Sequence, residues 1–574
     1  MLAKINKLQN WQAGFIITLI GFAVFFSGLA NPFQGDDNYQ IVNNLPVHSL
    51  KNLFLFFRSS TFYNGQKLIG VYYRPLMTTV FSFVYSLFGP HPLYFHIFQL
   101  VLYIACAYVL YLVFKRFFKP AGAIILALVF LVHPINSQVA YAIPSMQDAL
   151  FFFFGILALW ILINYKSNRS LWLVAGCLLA SFLSKETAVV FFVIAFLYLF
   201  WFSRERLRRY VYVMIWPFII YFLLKINAVG LNSPQHGAPI DNFTLAGRLM
   251  TDPSIVLFYL TKFIFPWHLA SGYYWTYPSY SFRHVLLPLL IDLAVVAIFV
   301  YLGIRVRKHL SNSKYHAYLF FAAWAVIGII PYLQIISLDM TACETWFYFS
   351  IVGLLGMIGI ALLTIKHRLE PGWLILPAVL LTAILGVRSA VRGTDYSSQY
   401  NLARADLKVS SNDYSAMNNV AQGLIDQGKY KPAIQYAEES AAIYPTVSNY
   451  DNLGVALEYT ENYAAAVKAY NRALQYGSLN IIYENLVEIA LVYGTPASHV
   501  QLFEKAFKAY PTDFKIWLYL AIMEDEAGAT ANSRTALSYA VSYGQIPQVL
   551  YNDIYSGQQF SLQLPISKYP LIVR

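Results

Sequence analysis

From its N-terminus to about residue 390 the chain alternates between long apolar runs and short polar breaks. Apolar runs at 11–30, 93–114, 120–133, 147–164, 170–184, 187–203, 210–229, 285–304, 317–337, 346–365 and 372–389 predict about eleven helices crossing some 30 Å of hydrocarbon. A weaker run, 254–265, ends in Pro266-Trp267-His268 and reads as a helix on the membrane surface. Between the first two spans, segment 47–58 places Leu50, Leu53, Phe54 and Phe57 at helical spacing, with Lys51 and Arg58 at the polar edges. This segment and the aromatic-rich 74–88 predict two helices lying along the membrane surface.

After Arg392 the pattern becomes polar and periodic. Ala421, Gly454 and Val487 are spaced by 33 residues, as are Ala437, Tyr470 and Phe503, and Pro445, Ser478 and Pro511. A fourth copy follows one residue late. Small residues recurring in paired helices at this period predict a tetratricopeptide array. The expected fold is therefore all-α: a polytopic membrane domain over 1–392, with loop 31–92 outside, then a tetratricopeptide-repeat α-solenoid over 393–545. Residues 546–574 would form a cap or tail.

Composition sharpens the membrane assignment. Of 574 residues, 58% are hydrophobic and 12% charged, about half the charge of a soluble protein. The run Phe15–Leu29 lacks a small-residue cleavage pattern and precedes many further spans, so it reads as a retained helix rather than a signal peptide. The net charge of +12 is not a nucleic-acid patch. Between Lys4 and Glu370, seventeen cations and two acids, Glu205 and Glu370, fall in loops on one side, as the positive-inside rule requires. That puts the N-terminus in the cytoplasm and loops 31–92, 134–146, 230–284 and 338–345 opposite. An odd number of spans then exports the repeats. Cys106, Cys177 and Cys343 suggest no disulfide framework, which leans toward a prokaryotic plasma membrane over an endoplasmic reticulum.

Several polar residues stand where such a protein would do chemistry. Asp36 and Asp37 surface just past the first span. They could cap the following turn, or, as adjacent carboxylates, raise one another's pKa so that one becomes a base. Arg74, in Tyr72-Tyr73-Arg74-Pro75-Leu76, could be an interfacial arginine or a phosphate-gripping guanidinium. His133 and Asp148 border the same expected cavity. Lys185-Glu186 joins two apolar runs, either as a neutralised turn or with Lys185 reaching a lipid phosphate while Glu186 orients it. Asp292 lies inside a span, without an assigned role. Asp339 and Glu344 flank a short loop and read as solvated. No metal-ligand spacing and no nucleotide-binding loop occurs, so a donor should come through the membrane.

The order of Gly35-Asp36-Asp37-Asn38-Tyr39, then YYRPL, GPHPLYFHIFQLVLY with His96, HPINSQV, QDALFF and LSKETAVVF, and finally the repeats, resembles the GT-C membrane glycosyltransferases. Within these it resembles the transmembrane and tetratricopeptide-repeat-containing O-mannosyltransferases. The resemblance implies inverting transfer of a sugar, typically mannose, from a polyprenyl phosphate to Ser or Thr of an exported polypeptide held by the repeats. Asp36 and Asp37 would be catalytic, with Arg74 and Lys185 holding the donor phosphate. His96, His133, Asp148 and Glu186 would line the cavity. Neither a metal nor a cofactor beyond the lipid-linked donor is implied. The chain departs from the family at Asn136 and at Thr345-Trp346 after Glu344. Two alternatives are a transferase of this fold acting on a lipid or cell-wall glycan, and a membrane scaffold recruiting proteins through its repeats.

Overall fold

The computed structural model describes residues 8–63, 72–230, 237–365, 372–493, 496–526, 528–544, 546 and 548–556. Lys4, Lys7, Lys366, Arg368, Glu370 and the tail from 557 onward, all part of the expectations above, lie outside these residues. Among the described residues the regular structure is helical, apart from one isolated bridge between Tyr273 and Ala342. The chain divides into two compact units, 1–411 and 412–574.

In the first unit, seven described helices are long and apolar enough to cross a membrane, or eight if the bent pair Pro120–Val132 and Pro134–Tyr141 makes one span. The shorter helices Ser170–Ser184, Glu186–Phe202 and Ser350–Leu362 occupy the remaining expected positions. This is an integral, multi-pass membrane protein. The weak run forms the 13-residue helix Asp252–Ile264.

The long helix Pro92–Phe114 packs between its neighbours 10–25, 120–132 and 146–164, and its buried face carries Tyr103, Leu110 and Phe114. Helices Asn312–Ile329 and Ser350–Leu362 approach most closely through glycine. A Cβ on Gly353 would lie 2.3 Å from the backbone nitrogen of Ala325, so nothing larger fits between them. Aromatic rings fill the rest of this layer, with Trp324 fully buried and stacked on Phe349 at 5.2 Å.

The aromatic-rich segment forms the helix Pro75–Phe88, as expected. Segment 47–58 does not form one amphipathic helix. It breaks into the turns Leu45–His48 and Leu50–Asn52 and the four-residue helix Leu53–Phe56. Ser49 is extended, at φ −145°, and Pro46 starts the first turn, so hydrogen bonding cannot run continuously. Val47 and Phe56 are buried there, while Phe54 is 78% exposed.

The second unit consists of helix pairs beginning at Tyr414, Val447, Asn480 and Phe514. These starts keep the expected register. Ala437, Tyr470 and Phe503 are buried at equivalent places, as are Ser440, Ala473, Ala506 and Ala540. A further helix, Gln548–Ser556, follows.

Candidate active site

The loop after the first span is set by Gly35, whose φ of +56° is a left-handed conformation that an L side chain resists. This turn presents Asp36 and Asp37 side by side. Asp37 does not cap the following turn with its side chain. Its Oδ2 instead accepts the backbone N–H of Gln34 at 3.0 Å, and its Oδ1 is buried with no partner. Burial pushes the Asp37 carboxyl up to about 8, opposed by the Gln34 N–H and assisted by the neighbouring Asp36. Asp36 differs. Its side chain stays open to solvent but sits in a recess of dense protein, which raises its carboxyl, as does Asp339, while Arg74 lowers it.

Arg74 is fixed by the start of its helix. It precedes Pro75, and its backbone N–H donates to Thr61 Oγ1 at 3.0 Å. The guanidinium lies 4.2 Å from the centre of the Tyr72 ring and donates to Glu186 through Nε at 3.3 Å and Nη2 at 2.9 Å. Tyr72 OH in turn donates to Asp339 Oδ2 at 3.3 Å. Lys185, at the break between helices Ser170–Ser184 and Val189–Phe202, is buried with its Nζ 2.6 Å from Asp148 Oδ1. Asp148 stands in the first turn of Met146–Asn164, where the helix dipole favours a negative charge.

The partners differ from expectation. Glu186 orients Arg74, not Lys185, and Lys185 is held by Asp148. Four charges thus form two neutral pairs, and Arg74 and Glu186 are separated by 112 residues in sequence. His96 is buried, beside the backbone of Asn31.

His133 is also buried, but for local reasons. One ring nitrogen meets Phe263 O at 3.0 Å, the other accepts from Ile135 N–H at 3.3 Å, and the ring stacks on Phe263. This is a turn cap, with no free ring nitrogen to present to a cavity. Glu344, expected to be solvated, is fully buried. Tyr273 OH donates to its Oε1 at 3.2 Å and its Oε2 has no partner. Burial raises its carboxyl to about 7, against the pull of Arg392 and Lys262. Tyr72 and Asp339 were missed as site residues because only folding brings Asp339 to Asp36 and to Tyr72, 267 residues away in sequence.

Asp292 lines an apolar cavity of about 430 Å³ between helices Leu287–His309 and Asn312–Ile329. Phe347 is at its wall. The adjacent Trp346 stacks on Tyr332 at 5.0 Å, and Tyr332 lies within the electrostatic reach of Lys185.

A family profile described as dolichyl-phosphate-mannose-protein mannosyltransferase matches residues 74–227. That stretch holds both ion pairs. Residues 74–227 are thus similar to that membrane mannosyltransferase family. The human protein O-mannosyl-transferase TMTC1 is 32% identical over 176 residues, which are 30% of this chain and 19% of that protein. The match thus spans about a fifth of this curated relative. The solved structure of ArnT from Cupriavidus metallidurans bound to undecaprenyl phosphate overlaps 80% of this chain and 79% of that one, at 16% identity and a TM-score of 0.38, too low to bear on the fold. The matched stretch begins at Arg74 and leaves the Asp36–Asp37 loop outside it.

Proposed function

We propose that this protein moves a sugar, mannose in the first instance, from a polyprenyl-phosphate carrier to Ser or Thr hydroxyls of exported polypeptides. The single observation that carries the reading is the convergence of Asp36 with Arg74 and Asp339 beside the Arg74–Glu186 and Lys185–Asp148 pairs. A proton acceptor and phosphate-binding cations in one recess are what this transfer needs.

Asp36 is the accessible carboxylate of the two and takes the role of base, removing the acceptor hydroxyl proton as the oxygen attacks the anomeric carbon. Asp37, buried and held by Gln34, orients it. The bond from the anomeric carbon to the phosphate oxygen breaks, and its electron pair leaves with the phosphate. That group departs as an anion and needs no general acid. Arg74 can meet the developing charge through Nη1, which lies outside the fork to Glu186, and Lys185 through its remaining N–H groups. Each such contact can be worth about 3 kcal/mol of barrier. The apolar cavity beside Phe347 is suited to part of the isoprenoid chain. The helix pairs, read as tetratricopeptide repeats, would hold the acceptor segment.

Labelled sugar transfer from a polyprenyl-phosphate donor, assayed in reconstituted membranes with product identification, tests this. Asp36→Asn should lower turnover by about 10²–10⁴-fold without loss of assembled protein. Unchanged turnover in that variant overturns the assignment. A labelled lipid or glycan in place of a labelled polypeptide overturns the acceptor.

A further inference from the structure

We infer that the helix Gln399–Val409, the last of the membrane unit, braces the loop that carries Asp36 and Asp37, and that Gln399 is a positioning residue for the transfer reaction. The role depends on the chemistry proposed above for those two carboxylates.

Two hydrogen bonds join segments some 360 residues apart in sequence. Gln399 Oε1 accepts the backbone N–H of Gly35 at 3.1 Å, and Gln34 Nε2 donates to the carbonyl of Tyr396 at 3.1 Å. They hold Gln34 and Gly35, the residue before the left-handed turn and the turn residue itself. Gln34 is in direct contact with the carboxylate, since its N–H donates to Asp37 Oδ2 at 3.0 Å and its carbonyl accepts the Asp37 N–H at 3.2 Å. A shift of Gln34 or Gly35 is therefore passed to Asp37 within one residue. Gly35 has no side chain, and the space where one would go is empty to 4 Å, so the turn gains nothing from packing.

The brace is itself anchored. Arg392, almost fully buried, donates to Asp395 at 2.9 Å and to Asp406 at 3.2 Å, and its guanidinium lies over the Tyr396 ring at 5.3 Å. Asp406 also accepts the Ser271 hydroxyl. The Tyr396 ring is fully buried and stacks on Tyr141 at 5.4 Å. The amide at 399 supplies an acceptor for Gly35 without adding a third negative charge beside the adjacent carboxyls. Base catalysis requires hydrogen-bond reach to the attacked proton, and an error of about 1 Å can cost about a hundredfold in rate, so a rigid mount for this loop bears directly on turnover.

The test uses the full-length chain in reconstituted membranes, with transfer from a polyprenyl-phosphate donor followed across pH. Gln399→Leu and Gln34→Ala should each lower kcat about ten- to hundredfold, leaving KM for the donor unchanged. Gln399→Glu keeps an acceptor for Gly35 but adds a charge. It should retain most of kcat and move the rising limb of the pH profile upward, which a merely structural role would not do. Asp36→Asn is measured alongside. If it still turns over, the reading of the loop fails. If it is inactive while Gln399→Leu and Gln34→Ala match the parent, the brace alone is refuted. Should Gln399→Leu not assemble, Gln34→Ala and Gln399→Glu decide, and an equal loss in both without a pH shift overturns the role of Gln399.

Discussion

A carboxyl that holds its proton toward neutrality must be kept from water, and at Asp37 burial does so while Asp36 beside it adds repulsion. Adjacent carboxyls titrate as a pair, and the base works only when ionised. The transfer rate should therefore climb with pH across a window above the ordinary carboxylate range, as Asp36, raised by burial and by Asp339, loses its proton. A rate profile already flat above pH 5 would contradict this. Stability runs the other way. The folded state holds the Asp37 proton more tightly than the unfolded chain does, so the contribution is present at low pH and is lost as pH rises from about 4 toward about 8. At Lys185, replacement by Met would leave Asp148 buried without its cation and should destabilise the membrane unit by about 3–5 kcal/mol. The double variant Lys185→Met with Asp148→Leu should recover much of that, as thermal unfolding in detergent would show. The sequence made Asp36, Asp37, Arg74 and Lys185 visible as candidates, because charge is conspicuous among apolar neighbours. It could not show that Arg74 pairs with Glu186, because that contact joins residues 112 apart. Nor could it show that Glu344 is buried, since a loop residue next to Cys343 carries no local sign of what will cover it.

Among elements, hydrophobic periodicity was most informative where the runs were long. Every span read from the sequence has a helix in the structure, although three are short. The exception is 47–58, where apolar spacing suggested one helix but Ser49 breaks it. Such a break is hard to see because Ser and Asn are tolerated inside helices as well as at their ends. Close helix approach gives a testable element. Gly353→Val places a branched side chain against the backbone of Ala325 and Phe321, and should cost about 1–3 kcal/mol or more, read as a lowered melting temperature. Gly176→Ala, where an added Cβ meets nothing within 4 Å, should leave that temperature unchanged or slightly raised.

For the whole molecule, the repeat register was readable because small residues at fixed spacing survive as buried positions. Where the membrane unit ends was not. Composition changes at Arg392, yet the compact unit runs on to Ser411, since the Arg392–Asp406 pair draws the next helix into it. The export of the helix pairs, expected from the charge asymmetry of the loops, has a direct check. Lys431→Cys on the exposed surface of the first pair should react with an impermeant thiol reagent added from outside intact cells. Labelling only after permeabilisation would reverse the topology. The two ion pairs, Lys185–Asp148 buried and Arg74–Glu186 half-buried, have one more consequence. At 2.6 and 2.9 Å these contacts are far shorter than the Debye length of about 8 Å in physiological salt. Adding electrolyte should scarcely disturb the resting chamber, and any ionic-strength dependence of turnover will report the approach of a charged headgroup to it.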